Sequence, residues 1–197
     1  ASPETCLLRL AGPQIAQFYK IPCHSIGFDS ESLSIDAQYG WEKAITGFTP
    51  LLAGVDLMVD LGVSESFLSA SNEQLIIDHE ILGSLKRLIK GIEVNPETIA
   101  FDLIKKVGPR GNFLQEEHTL TYLKQSRYYW QPEISNRCSR YIWNSRGNPD
   151  MIKKAKERAE EILRSHQPKK LDEDKQKEIR CIIEEFDSRE IEEHSSV

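Results

Sequence analysis

A chain of 197 residues, 39% hydrophobic and 28% charged, has room for one domain with a substantial core, or one domain with an appendage, and is neither disordered nor fibrous. Its net charge of −6 argues against a general nucleic-acid binder, which would carry a basic face. No apolar run approaches the roughly 20 residues that span a bilayer, and "ASPETCLLRL" lacks the basic head of a signal peptide, so a cytoplasmic protein without a membrane anchor is expected.

Residues 3–19, "PETCLLRLAGPQIAQFY", place Leu7, Leu8, Ala11, Ile15, Phe18 and Tyr19 at helical spacing. Ser2 can cap this helix, Pro3 suits its first position and Glu4 meets its dipole, while Pro13 is expected to kink or split it. "IPCHSIGF" (21–28) reads as a buried strand bounded by Pro22 and the polar "DSES". A second amphipathic helix, 34–54, carries Ala37, Ala44, Ile45, Phe48, Leu51 and Leu52 on its expected inner face and closes at Gly54. "VDLMVDLGV" (55–63) is a second strand, followed by the polar "SESFLSAS" and a long helix over 72–91. "EVNPETIAFDLIKKVG" (93–108) opens on an Asn-Pro-Glu helix start and ends at Gly108. The next helix spans 118–130, and the aromatic cluster Tyr128, Tyr129, Trp130 and Trp143 is expected to pack it onto its neighbours.

From residue 151 the composition shifts. Two charged helices, separated by "QPKKLD", carry narrow apolar stripes: Ile152, Ala155, Ala159 and Ile162, then Ile179, Ile182 and Phe186. This tail is expected to serve packing or oligomer contacts, and its closing "EEHSSV" to fray.

The order helix, strand, helix, strand, helix predicts an α/β fold with crossover units on a parallel sheet. Such sheets are covered on both faces and seldom have two strands, so these two read as the last strands of a larger structure. A complete (β/α)8 barrel typically takes about 250 residues. Open parallel edges also predict pairing between copies, hence a homo-oligomer. Cys6, Cys23, Cys138 and Cys181 form no C-x-x-C pair, which suits reduced thiols better than disulfides or zinc.

In parallel α/β folds ligands bind beyond the carboxyl ends of the strands. That rule selects "GFDSESLSIDAQ" (27–38), with Asp29, Ser30, Glu31, Asp36 and Gln38, and "DLGVSESFLSASNEQ" (60–74), with Ser64, Glu65 and Ser66. Taken singly, Ser30, Asp36 and Asn72 read equally as helix caps and the glutamates as solvated; taken together, the two loops read as a site. No dinucleotide, P-loop, zinc-protease or nucleophile-elbow motif is present. Within "DHE" (78–80), Asp78 and His79 point about 100° apart on a helix, so no metal site is expected. Cys23 and His24 face opposite ways in a strand and make an improbable nucleophilic pair.

Several stretches in order, "DAQYGWEKAITGFTPLLAGVDLM" (36–58), "SNEQLIIDHEILGSLKRLIKGIEV" (71–94), "GNFLQEEHTL" (111–120) and "YYWQPEISNR" (128–137), resemble the trimethylamine methyltransferase family of corrinoid-dependent enzymes. The resemblance runs from residue 1 to about residue 165 and implies the C-terminal part of a (β/α)8 TIM barrel followed by a helical extension. Residues 1–110 would be barrel units, 111–150 a helical and loop segment closing the barrel, and 151–197 the charged tail. The implied reaction moves a methyl group from a methylated amine to the Co(I) corrinoid of a partner protein, with no cofactor held tightly by this chain. Cobalt is then the nucleophile, and the enzyme holds the N-methyl group in line, excludes water and stabilises a cation.

Carboxylates and aromatic faces suit a quaternary ammonium. The resemblance makes Glu65, Asp36, Gln38, Tyr39 and Trp41 the expected substrate contacts, with plain helix packing a rival reading for Trp41. Where some members carry pyrrolysine, roughly residues 29–35, this chain has "DSESLSI", which points to a quaternary amine such as glycine betaine over trimethylamine. Asn112, Gln115, Tyr39 and Trp41 depart from the family's usual "GGHFLG-x-x-HT" and "DAQAGYE", implying a pocket of altered specificity or an inactive protein. His118 matches the family histidine. It reads either as a brace for the loop before its helix or as a group near substrate or corrinoid, while an amine leaving neutral needs no proton from it. A truncated, non-catalytic docking or oligomerisation module and a folate-dependent corrinoid methyltransferase are the competing readings.

Overall fold

The computed structural model describes residues 1–125 and 128–194, with side chains as far as 187. It is a mixed helical fold with little sheet, 61% helix and 5% strand. This is consistent with the α/β class, but no barrel is formed among the described residues: the sheet holds two parallel strands, β1 (His24–Ile26) and β2 (Leu57–Val59). His24, Ser25 and Ile26 pair with Leu57, Met58 and Val59. Two compact units are distinguished, 1–161 and 162–197. No described helix is long and apolar enough to cross a membrane.

Helix α1 (Pro3–Tyr19) begins as its capping residues predict, with the Thr5 amide donating to Ser2 Oγ at 3.3 Å. It runs through Pro13 as one helix, and Pro13 is buried together with Cys6 and Ala16. The expected inner residues Leu7, Leu8, Ile15, Phe18 and Tyr19 are exposed instead, because α1 meets α2 through its small side chains.

Helix α2 (Ala37–Leu52) shows the same inversion more strongly. Its buried face is Tyr39, Glu42, Lys43, Thr46, Gly47 and Pro50, whereas Ile45 and Leu52 face solvent. Amphipathic patterning assumes that polar groups face water. Here they turn inward because each finds a partner there. The expected strand 55–63 also divides. Asp60 and Gly62, both with positive φ, end β2, and the chain turns into a small antiparallel pair, β3 (Val63–Ser64) with β4 (Ser69–Ala70).

Helix α3 (Asn72–Ile89) is capped by Ser71, whose Oγ accepts from the Gln74 amide at 3.1 Å; Asn72 is already inside the helix. The helix expected over 93–108 is two, α4 (Pro96–Ile99) and α5 (Phe101–Val107), broken at Ala100 with φ 52°. Asn95 and Thr98 form a reciprocal capping box at the start of α4. Helix α6 (Glu117–Lys124) stops short of the expected 130, and residues 126–127 lie outside the described residues. The aromatics expected as one cluster separate: Tyr128 packs on Tyr122, the Trp130 ring lies over Gly83 of α3, and Trp143 of α7 (Arg140–Ser145) donates to the Pro149 carbonyl.

The core cluster is Tyr39, Ile77, Ile134 and Ala155, flanked by Ile35, Ile76, Ile81 and Met151. Thus α8 (Met151–Ser165), expected as part of an appended tail, contributes Ala155 to the centre of the first unit. The second unit carries α9 (Glu173–His194); of "EEHSSV", where fraying is expected, the first three residues end α9 and the last three lie outside the described residues.

Candidate site at the carboxyl ends of the paired strands

Beyond β1 the chain turns at Phe28, which is fully buried with φ 57° and lies against Gly47 of α2, where a Cβ would come within 2.8 Å of the ring. That close approach brings the loop 29–36 onto the start of α2. Glu42 organises this loop. Its Oε2 accepts from Ser30 Oγ (2.8 Å) and from the Glu31 amide (2.9 Å), and its Oε1 from Gln38 Nε2 (2.9 Å). Burial would raise the Glu42 pKa, but these donors together hold it below the usual carboxylate range. Asp36 caps α2, accepting from the Tyr39 amide and the Ser32 and Ser34 hydroxyls; the Tyr39 amide is the largest of the causes that depress its pKa. On the other side of the loop, Arg9 of α1 is ion-paired with Asp29.

The second loop is fixed from beneath by Asp78 of α3. This fully buried carboxylate accepts from Tyr39 Oη (2.9 Å), Lys43 Nζ (2.8 Å) and the Gly62 amide (2.7 Å). Lys43, also fully buried, donates in addition to the Val63 carbonyl, and its ammonium stands 5.0 Å from the Tyr39 ring centroid. Burial pushes Asp78 up and Lys43 down, each opposed by the other's charge; burial and the neighbouring Asp78 push Tyr39 up.

Above this anchor, Glu65, Ser66 and Phe67 have φ of 52°, 51° and 72°, a left-handed turn of three consecutive non-glycine residues. Such a conformation costs roughly 1–2 kcal/mol per residue, and it persists where the surroundings over-determine it. The Ser66 amide donates to the Ser30 carbonyl (3.3 Å), joining the two loops that the sequence singled out. The Glu65 carboxylate, half-buried, makes no hydrogen bond or ion pair among the described residues, and Phe67 in the same turn is 48% exposed. Two buried acceptors beside the loops, Asp29 Oδ1 and Gln74 Oε1, also find no donor among the described residues.

The sequence-derived candidates therefore have different placements. Glu65, Asp36 and Gln38 belong to the joined loops. Tyr39 is buried beneath them with its hydroxyl committed to Asp78. Trp41, half-exposed, lies two residues along α2 and so on its opposite face. His118 sits on α6, where its Nε2 is 2.9 Å from the Glu97 carbonyl and its ring stacks on Tyr122 at 4.4 Å. Among the described residues no three His, Cys, Asp or Glu side chains converge as metal ligands. Sequence reading missed Glu42, Lys43 and Asp78. The signal that was present is the run Tyr39, Glu42, Lys43, Thr46, a polar stripe at helical spacing.

The family model described as trimethylamine methyltransferase (MTTB) matches residues 1–190. The chain belongs to the trimethylamine methyltransferase family. Curated relatives include a trimethylamine methyltransferase of Methanosarcina mazei, 35% identical over 190 residues, which are 94% of this chain and 37% of that protein. A trimethylamine methyltransferase of Desulfitobacterium hafniense is 33% identical over 184 residues, 93% of this chain and 36% of its own. A glycine betaine methyltransferase, also from Desulfitobacterium hafniense, is 35% identical over 172 residues, 87% of this chain and 35% of its own. The chain thus spans little more than a third of the relatives it matches. Within this trimethylamine methyltransferase family member, both joined loops and the Lys43–Asp78 anchor lie inside the matched residues.

Proposed function

We propose that the chain is the C-terminal part of a (β/α)8 methyltransferase that moves a methyl group from a quaternary amine to the Co(I) corrinoid of a partner protein. The observation that carries this reading is the Glu65 carboxylate, unpartnered among the described residues and held on a left-handed turn where the two strand-end loops meet. An unpaired, preorganised carboxylate beside the aromatic Phe67 suits a quaternary ammonium, which offers positive charge but no N–H donor. The corrinoid supplies the nucleophile. This chain's share is to bind and orient the ammonium and to exclude water. The methyl group leaves nitrogen as a cation equivalent and the bonding pair stays on nitrogen, so the amine departs neutral and no acid is required.

Glu65 is the direct substrate contact in this proposal, with Phe67 of the same turn its aromatic neighbour; Trp41, on the outer face of α2, is not among the contacts. Asp36, Gln38 and Tyr39 act through the bonds that shape the loops, and His118 braces α6 against α4. The ordinary residues of "DSESLSI" favour glycine betaine over trimethylamine as substrate. The setting is the cytoplasm; expressed without the rest of the barrel, this chain would leave the edges of β1 and β2 open, which favours pairing between copies.

The test is methylation of cob(I)alamin by glycine betaine and by trimethylamine, using the full-length polypeptide that carries this chain. Turnover with glycine betaine, lost in Glu65→Gln, is expected. Full turnover in Glu65→Gln removes Glu65 from the site. No turnover with either amine, alongside binding of the corrinoid protein, would favour a non-catalytic docking module.

A further inference from the structure

We propose that the buried Tyr39–Lys43–Asp78 network is a positioning device for the turn that presents Glu65, an inference resting on the amine-binding reading above. Lys43, Asp78 and Tyr39 are 0%, 0% and 1% exposed, so none of them reaches a ligand at the surface. What they hold is backbone. Asp78 Oδ2 takes the Gly62 amide at 2.7 Å, and Lys43 donates to the Val63 carbonyl, fixing both peptide groups on the way into the left-handed turn. The way out is tied to the same place: the Ser71 amide donates to the Gly62 carbonyl at 3.3 Å, and Val63 pairs with Ala70. At its tip the turn is tied to Ser30 through the Ser66 amide, and Ser30 is bonded to Glu42, one residue before Lys43 on α2.

A buried ion pair is a poor source of stability, since well-packed apolar residues of similar volume often serve as well or better. Its distinguishing property is direction. The charges here aim two hydrogen bonds, from the Gly62 amide onto Asp78 and from Lys43 onto the Val63 carbonyl, at one short stretch of chain, while bonds from Tyr39 and Lys43 onto Asp78 hold the network itself in place. An apolar replacement would keep the packing and lose the aim. The carboxylate above would then sample positions away from the ammonium, which weakens binding more than it slows transfer once substrate is held.

The deciding variant is Lys43→Met with Asp78→Leu in the full-length polypeptide, read by amide hydrogen exchange and by kinetics with glycine betaine and cob(I)alamin. Exchange is expected to rise at residues 62–68 while α2 and α3 keep their protection, and KM to rise about tenfold or more with kcat changed far less. Unchanged exchange at 62–68, or a uniform rise through α2 and α3, overturns the positioning role. So does an unchanged KM in an active enzyme. If the double variant does not fold, Tyr39→Phe, which removes one donor to Asp78, should give a smaller change in the same segment and the same direction in KM; no change in either overturns the proposal. Exchange reads the clamp without substrate, so a wild-type enzyme inert toward amines would refute the amine reading separately.

Discussion

Two polar clusters in this chain look alike in sequence and differ in kind. The cluster under the strand-end loops draws Tyr39, Lys43 and Asp78 from helices 35 and 39 residues apart and buries all three completely. The cluster around His118 joins α4 to α6 through an exposed ring-to-carbonyl bond, stacks His118 on Tyr122 within α6, and ties α5 to the start of α6 through a Lys106–Glu116 pair whose lysine is 68% exposed. Polar residues carry structure here where they are buried and bonded to one another. A histidine flanked by acids draws the eye, yet a lysine and an aspartate set in ordinary helical context are the groups on which the loops rest.

The sharpest way to break that comparison is Asp78→Ala. It would leave the Lys43 ammonium buried without its ion-pair partner, the Gly62 amide without an acceptor, and the Tyr39 hydroxyl with only its longer bond to the Gln74 carbonyl (3.4 Å). Removing one member of a buried ion pair costs about 3–5 kcal/mol, measurable as a fall in the urea midpoint. Removing Glu116 from its exposed pair with Lys106 should cost under about 1 kcal/mol. Equal losses at the two positions would erase the distinction.

Next in size is Glu80→Ala. Glu80 is 4% exposed and accepts the amides of Glu133 (3.0 Å) and Ser135 (3.1 Å), which pins the loop carrying Ile134 into the core. Unpartnered buried amides cost roughly 1–3 kcal/mol each. The loss should appear both in the urea midpoint and in faster exchange of the amides around Ile134.

Glu42 gives a pH test of the same region. Its folded pKa lies below the ordinary glutamate value, so its contribution is present above about pH 4.3 and is lost as pH falls through the folded value. Glu42→Gln should therefore destabilise by about 1–2 kcal/mol at neutral pH, with the gap to wild type closing below pH 4. A gap that stayed constant with pH would mean that the carboxylate charge is not what the Ser30, Glu31 and Gln38 donors recognise.

Local signals were the legible part. Ser2, Asp36 and Asn95 cap the helices expected of them, and the order α1, β1, α2, β2, α3 could be read from hydrophobic runs and their punctuation, though not the small β3–β4 pair before α3. The strand-end rule also selected the two loops that Ser66 and Ser30 join. What failed was orientation. Amphipathic spacing makes the apolar side of α2 its inner side, but a polar stripe turns inward when partners await it: Asp78 of α3 for Tyr39 and Lys43, and the loop 29–36 for Glu42 and Thr46. The same reason hid the site's foundation. Local spacing sets Asp78 only beside its neighbour His79, whereas its contacts come from Tyr39, Lys43 and Gly62. The breaks at Ala100 and at Asp60–Gly62 were hidden too, because positive φ at alanine and aspartate has no compositional mark.

The smallest expected effect closes the comparison. His118→Ala removes one exposed bond to the Glu97 carbonyl and a stacking contact with Tyr122. Neither contact is buried, so the loss should stay near or below about 1 kcal/mol. Exchange at residues 62–68 should not change, because no bond of His118 reaches the Glu65 turn. Amine KM should follow exchange, staying at the wild-type value. A His118→Ala enzyme with normal stability but a much weakened amine would place the histidine at the substrate and move the candidate site toward α6.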